Sequence, residues 1–414
     1  MIGDYVTLQR GTTYKGQLVG APGPALLGLG SITPGGGFRP DYKTYGGDCP
    51  PEITLYPGDL FVSLKGATKD GEMIGSVARV PETVLSGRLT QDTVKLAFGA
   101  QDDDFERYLY WLLRTPDYRH YCGSRASGSA VVALSREDFL SYAVPPMTEW
   151  KRQLAKTLDA IESKIDSNLR TVTLLSGLID AMYRTVMESS PVTRVPLLEI
   201  VEPTKGVSYK SADLQPSRTA LVTLKSFDRT GGYKADGLKP YVGGYKRQQV
   251  IQPGELALAQ TDLTQGAEVV GRVIRVPASP FVDVMVASLD LIILRPKGDL
   301  ETAYLFALLS DDEFREHCRA RTSGTTVLHL AADALTSYSA PIVAAEARRG
   351  LVREVTPILT RVDQLRDEAG GLIELRDVLL SMLPVGKSVE RRRGGSLTDL
   401  TQDAPAVVEG GTAP

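Results

Sequence analysis

The chain has little cysteine, little histidine and no excess of positive charge. Cys49, Cys122 and Cys318 are the three cysteines in 414 residues; they form no CxxC pair and are odd in number. That excludes a dense disulfide framework and a cysteine-rich zinc site, and it predicts a reduced, cytoplasmic compartment. The three histidines, His120, His317 and His329, fall in no HExxH pattern, so no metal site is expected and surface or helix-packing roles are. GxSxG and GxxxxGK[ST] are absent, which removes the common nucleophile elbow and phosphate loop. No apolar run approaches the roughly 20 residues of a membrane helix. The opening MIGDYVTLQRGTTYKG lacks a basic stretch followed by an apolar one, so no secretory signal is expected. The net charge is −3, from 47 basic and 50 acidic side chains, so a nucleic-acid ligand would require positive charge concentrated locally. The remainder is ordinary globular composition, 42% apolar and 23% charged, at a length suited to two domains.

What is present is a repeat. ASGSAVVAL at 126–134 and TSGTTVLHL at 322–330 share one design, with numbers differing by 196. At that offset PGDL (57–60) meets PGEL (253–256), and IGSVARVP (74–81) meets VGRVIRVP (270–277). YLYWLLRTPDYRHYCGSRASG (108–128) meets YLFALLSDDEFREHCRARTSG (304–324), and SYAVP (141–145) meets SYSAP (337–341). Nearer the start the offset drops by one: RGTTYK (10–15) pairs with KGVSYK (205–210), and GGF (36–38) with GGY (231–233). The period is too long for a solenoid, so each unit is a domain followed by an appendage.

The appendage reads as a long helix. After Thr148, a suitable N-cap, apolar residues recur at Leu154, Leu158, Ile161, Ile165, Val172, Leu175, Ile179 and Met182, with Asn168 in the one missing slot. The second copy has Leu351, Val355, Ile358, Val362, Leu365, Ala369 and Leu372, then Leu375 and Leu379; Gly370-Gly371 predict a weak point. Neither stripe can be buried alone, so each helix is the natural partner of the other, with Asn168 helping to fix register. The alternative is that each helix packs on its own domain.

The globular parts read as mixed and strand-rich. ITLYPGDLFVSL and VIQPGELALAQ fit strand, Pro-Gly turn, strand; IGSVARV and VGRVIRV alternate; DDFERYLYWLLRTPDYRHYC is helical. Asp102–Asp104 read as a charge run at a helix N-terminus, and GLGSITPGGG (28–37) reads as a turn lacking phosphate-loop spacing. The tail after Leu383 is polar and rich in Gly and Pro, the composition of disorder. In SRASGS and ARTSGT the glycine permits close backbone approach, hydroxyls and amides can meet phosphate, and Arg125 or Arg321 can pair with phosphate or a guanine edge. The competing view is an ordinary turn before a strand. The most divergent stretches, FRPDYKTYGGDCPP (38–51) against YKADGLKPYVGGYKRQQ (233–249), mix cations with tyrosine and glycine as a base-reading or phosphate-reading loop does; the competing view is that they are variable surface loops. Lys65 and Lys69 become Thr261 and Gln265. The candidate DNA-binding residues are therefore Lys65, Lys69, Arg125, Ser127 and Gly128 on one face, and Lys234, Lys246, Arg247, Arg321, Ser323 and Gly324 on the other.

The doubled SG(S/T) turn, each followed by proline and a long helix carrying KIDSNL (164–169) or RVDQLR (361–366), resembles the DNA-specificity (S) subunit of type I restriction–modification systems over about residues 1–383. The resemblance implies an α+β fold: two mixed α/β target-recognition domains separated by two long helices that pair as an antiparallel coiled coil, with a pseudo-two-fold internal repeat. The expected boundaries are 1–147 for the first domain, 148–190 for the central spacer helix, 191–342 for the second domain, 343–383 for the distal helix and 384–414 for the tail. It implies double-stranded DNA as ligand, read as two half-sites across a gap that the helices set. It implies no catalysis and no cofactor in this chain. S-adenosylmethionine would sit on docked adenine-methyltransferase subunits, two in number, and ATP with Mg on motor-nuclease restriction subunits. No membrane is involved. The rival from another class is a scaffold binding partner proteins through the coiled coil; a free-standing nuclease or methyltransferase would need a catalytic constellation that the sequence does not display.

Overall fold

The computed structural model describes residues 1–66, 71–99, 102–128, 132–228, 232–262, 266–324 and 327–384. Within them the chain is mixed α+β, with two compact units: residues 1–159 together with those from 376 on, and residues 160–375.

The first unit is built on a four-stranded antiparallel sheet ordered Val6–Arg10, Thr93–Phe98, Leu60–Ser63, Val77–Arg79. A smaller sheet sets Ala25–Leu27 parallel to Gly87–Leu89, with Thr54–Leu55 on the far side. The larger sheet is covered by helices α1 (Asp103–Leu112), α2 (Pro116–Arg125) and α3 (Arg136–Leu140). Asp102 starts α1 by accepting from the Phe105 amide at 3.1 Å, and acids fill the first turn where the dipole favours them. Tyr108, Trp111, Tyr118 and Phe139 are fully buried and form the centre of the core. The helical stretch expected from Asp103 to Cys122 is divided at Thr115-Pro116, because proline removes a donor and drives the preceding residue out of the helical region, here to ψ 150°.

The second unit repeats this plan. Its larger sheet is ordered Val273–Arg275, Leu256–Ala259, Leu291–Pro296, Val201–Lys205. Its smaller sheet again contains one parallel pair, Thr219–Val222 beside Val284–Ala287, flanked by Lys239–Pro240 and Val250–Ile251. Its helices are α5 (Leu197–Ile200), α6 (Thr302–Ser310) and α7 (Asp312–Arg319). Here Asp311, in the place of Thr115, breaks α6 from α7 by capping the Glu313 amide at 2.9 Å. Gly75 and Gly271 have φ of +72° and +78°, and a Cβ on either would lie 2.5 Å from Cys122 Sγ or Cys318 Cβ. The repeated cysteines are therefore small core residues beneath a glycine turn.

The long helices are α4 (Glu149–Ser189) and α8 (Ala345–Met382). Thr148 caps α4, its Oγ1 accepting from the Lys151 amide at 3.3 Å. In the first unit Leu154, Ala155 and Leu158 of α4 share a core with Leu380 and Leu383 at the end of α8. In the second, Val172 packs with Val362 and Leu365, while Ile179 and Tyr183 share a core with Leu351, Val355 and Leu359. Lys164 pairs with Glu368 at 3.3 Å, holding that carboxyl below its usual range. Within the second unit the contacts descend α8 as they ascend α4. Each fully buried leucine in such a stripe contributes about 1.5–3 kcal/mol. Asn168 is buried beside Glu368, and its Nδ2 closes no hydrogen bond of normal geometry. Helix α8 runs without interruption through Gly370-Gly371 and through Pro357. Burial of neighbouring Ala369 and Leu365 outweighs the roughly 1 kcal/mol per glycine that predicted a weak point. Leu375, expected in the stripe, instead faces solvent, and Leu380 is buried in its stead.

Candidate nucleic-acid interface

The two serine-glycine turns sit at matching edges. In the first unit Ala133 bridges both Ser127 and Lys65, so these three short segments lie side by side; the Gly66 amide donates to Val132 O at 2.7 Å. In the second unit the same arrangement is a small sheet, with Leu328–Leu330 between Thr261–Asp262 and Thr322–Ser323. Gly128 and Gly324 have φ of +132° and +124°, a region that side chains disfavour, and a Cβ on Gly324 would lie 2.0 Å from Val327 O. The turn residue is therefore constrained to glycine at both places.

The cations chosen from the sequence differ in how free they are. Lys65 Nζ is 2.8 Å from an Asp92 carboxylate oxygen. Arg125, at the end of α2, stacks 4.1 Å over the Tyr121 ring and lies 3.6 Å from Asp138. Lys234 follows the hairpin bridged by Phe227 and Tyr233 and is 3.4 Å from Asp236. Arg321 donates to His317 O at 3.4 Å, and Ser323 and Gly324 follow it at the sheet edge. Lys246 and Arg247 occupy the turn before Val250, with no side-chain bond to the described residues. Lys65, Arg125, Ser127 and Gly128 thus gather on one edge, as do Arg321, Ser323 and Gly324. No hydrogen bond or ion pair among the described residues joins Lys234, Lys246 or Arg247 to the latter. Lys69 lies outside the described residues. His317 packs its ring 4.9 Å from Tyr338 with Nε2 2.9 Å from Ala334 O. The run Asp102–Asp104 caps and charges α1: Asp104 pairs with Arg107, Arg152 and Lys156, which lowers its pKa, the Lys156 hydrogen bond most.

Sequence reasoning noted RGTTYK and KGVSYK as repeated but assigned them no role. Each leaves the edge strand of the larger sheet at a glycine. A Cβ on Gly11 would lie 2.0 Å from Thr90 O, and one on Gly206 the same distance from Ser288 O. Beyond these glycines Tyr14, Lys15 and Lys210 are exposed, while Tyr209 is half-buried against Leu221, Tyr241 and Val286. Beside Tyr14 lies a groove of about 790 Å³, lined also by Thr13, Lys43, Gln91 and Asp92. The repeat of Tyr-Lys at a fixed distance from a strand-ending glycine is the signal that could have marked it.

No protein-family model matches the sequence, and no curated protein matches it significantly. Solved structures do match. The S subunit of the type I restriction-modification system from M. genitalium superposes with a TM-score of 0.57 at 15% identity, over 92% of this chain and 94% of that one. The chain has the fold of a type I S subunit. A chain from a type I R-M system studied for complex assembly and conformational transition matches at 0.35, with 15% identity over 93% and 96% of the two chains. The HsdS subunit from Thermoanaerobacter tengcongensis matches at 0.31, with 16% identity over 92% and 95%. On this S-subunit fold the two serine-glycine edges and the two Tyr-Lys turns fall at corresponding positions of the two sheet plans. Among the described residues no cluster of His, Cys, Asp and Glu is arranged to hold a metal ion, and no helix is long and apolar enough to cross a membrane.

Proposed function

We propose that the chain is the DNA-specificity subunit of a type I restriction–modification complex. One observation carries the reading: an S-subunit fold shared over nearly the whole of both chains, with one sheet plan used twice. In this reading residues 1–147 and 191–342 are target-recognition domains, each reading half of a split site in double-stranded DNA. The helices of 148–190 and 343–383 pair as an antiparallel coiled coil, and α4, with 41 residues, is about 60 Å long at 1.5 Å per residue. That length makes it a ruler for the gap between half-sites.

The chemistry proposed for the chain is recognition, not bond breaking. Backbone amides and hydroxyls at Ser127 and Ser323 meet phosphate, and Arg125 and Arg321 reach a phosphate or the O6 and N7 acceptors of guanine. Arg125 must loosen its hold on Asp138 to do so. Lys65 and Lys69 support the first face, Lys234, Lys246 and Arg247 the second. Methylation of adenine from S-adenosylmethionine belongs to two docked methyltransferase subunits, and ATP-driven cleavage to restriction subunits. The cytoplasm is the setting. A net charge of −3 keeps a second reading in play, a scaffold that joins partner proteins through the helices without touching DNA.

Co-expression with the adjacent methyltransferase subunit, followed by sequencing of modified adenine across the host genome, separates the two. A split motif, modified on opposite strands in its two halves, is the expected result. An active methyltransferase that leaves no such motif, with no DNA binding by the complex at low salt, would overturn the specificity reading and favour the scaffold.

A further inference from the structure

We propose that Tyr14-Lys15 and Tyr209-Lys210 form a duplicated DNA contact, each lysine taking a backbone phosphate, with the exposed Tyr14 ring packing on the neighbouring sugar or base and the half-buried Tyr209 ring supporting its lysine. This rests on the DNA-specificity reading above and names residues beyond its serine-glycine edges.

The two turns leave their strands in the same way. Gly11 and Gly206 press against the Thr90 and Ser288 carbonyls, where no side chain fits. Each turn then meets a neighbour from the facing segment. The Tyr14 ring meets Tyr45 edge-on at 6.2 Å, and the Tyr45 hydroxyl accepts from the Lys15 amide at 3.2 Å. Buried Arg88 fastens the same loop, donating to Thr12 Oγ1 at 2.8 Å and Thr13 O at 2.9 Å. In the second unit Lys239 Nζ donates to the Tyr209 hydroxyl at 3.3 Å and sits 5.5 Å from its ring. Tyr45 and Tyr241 correspond, and a Cβ on Gly47 or Gly243 would lie 2.5 Å from the respective tyrosine hydroxyl. Both platforms therefore share an aromatic floor.

Like Lys246 and Arg247, the lysines of these turns are unengaged among the described residues. The exposed ammonium groups of Lys15 and Lys210 form no ion pair or hydrogen bond with the described residues, whereas Lys65 and Lys234 each already face a carboxylate. A free ammonium exchanges water and counterions for phosphate; a paired one must also give up its partner. The adjoining groove brings Gln91 and Lys43 beside Tyr14, and a glutamine amide can pair with an adenine edge. In the second unit Gln249 Nε2 donates to Lys205 O at 3.4 Å and the Val242 amide to Asp213 O at 2.9 Å, so the 205–213 and 239–249 turns make one face. That face gains Tyr245, Lys246 and Arg247 where the first unit has Cys49, Pro50 and Pro51. The second platform is the more strongly electrostatic of the two.

The test uses the full chain assembled with its methyltransferase partner and mixed-sequence duplex DNA, with affinity measured from about 50 to 300 mM salt. Lys15→Ala and Lys210→Ala are each expected to lower the slope of log K against log salt by about 1, and the double variant by about 2, with unchanged melting temperature. Tyr14→Ala is expected to weaken binding at every salt concentration without altering the slope. Wild-type binding with a steep slope that both alanine variants retain would overturn this contact and leave the DNA reading standing. A wild-type complex with no salt-dependent DNA binding would overturn both.

Discussion

The two units share one sheet plan but are fastened to their helices differently. Arg79 and Arg275 occupy the same place on matching strands. Arg79 reaches Asp159 of α4 with both terminal nitrogens at 3.0 Å, and the same carboxylate accepts from Arg107 at 2.8 Å and Trp111 at 2.6 Å. Arg275 instead reaches Asp363 of α8, which takes no second side-chain donor among the described residues. The partner lies 80 residues on in one case and 88 in the other, about two helical turns later. The glycine hairpins differ in the same way. Gly36 makes room for Arg114, just past the end of α1, and Gly232 for Arg366 of α8, whose guanidinium burial pushes its pKa down. In the second unit Val192–Pro196 pairs with Ser339–Val343; among the described residues nothing pairs as a strand with the matching 143–147. Sheet order and turn glycines are held fixed by backbone sterics. A side chain that reaches a helix can find a carboxylate one turn or two away, so the attachments are free to diverge.

The largest expected asymmetry tests this directly. Asp159→Ala strands the Arg79 guanidinium and the buried Trp111 indole N–H, while Arg107 keeps Asp104, and is expected to cost the first unit about 3 kcal/mol. Asp363→Ala strands one arginine and should cost the second unit about 1–2 kcal/mol. Both tryptophans, Trp111 and Trp150, lie in the first unit, so denaturant unfolding followed by their fluorescence reports that unit alone. Equal midpoint shifts for the two variants, each measured with a probe of its own unit, would refute the asymmetry.

The glycines test the shared part. Gly75→Ala and Gly271→Ala each place a methyl 2.5 Å from a cysteine atom at a left-handed φ, and each is expected to cost about 2–3 kcal/mol. Shortening Cys122 to alanine should recover part of the first loss, since Sγ is the atom met; Cys318→Ala should recover less, since there the nearest atom is Cβ, which alanine keeps. Identical rescue in the two units would show that the contacts are not as the structure draws them.

What the sequence made legible follows the same division. The repeat, the glycine turns and the helix stripe are local or periodic, and they are where the reading stood: Leu154, Leu158, Val172 and Ile179 are all buried. The pairing of Lys65 with Asp92, and of Arg79 with Asp159, joins residues far apart along the chain, and nothing in composition or spacing selects a partner. Choosing cations by residue type therefore could not tell Lys65 and Lys234, each facing a carboxylate, from Lys246 and Arg247, which have no side-chain bond to the described residues. Leu375 was misplaced because a heptad count carried past Gly370-Gly371 cannot register that the stripe moves to Leu380.

The smallest effect concerns the one polar residue in that stripe. Asn168 is 2% exposed and its Nδ2 faces Glu368 without closing a hydrogen bond of normal geometry, which costs part of the about 1–3 kcal/mol of an unsatisfied buried donor. Asn168→Leu is therefore expected to raise stability by roughly 1 kcal/mol, part of the gain being lost to the larger side chain's fit. Stability is only half of the expectation. An asparagine at a seam position disfavours every register that would bury it against apolar side chains alone, and here Glu368 and its Lys164 partner flank it. Removing that preference lets the helices slide by a heptad, so under the proposed specificity function the variant complex should methylate targets with more than one gap length. A variant that gains stability and keeps a single gap would show that the apolar stripe and Lys164–Glu368 suffice to set the register.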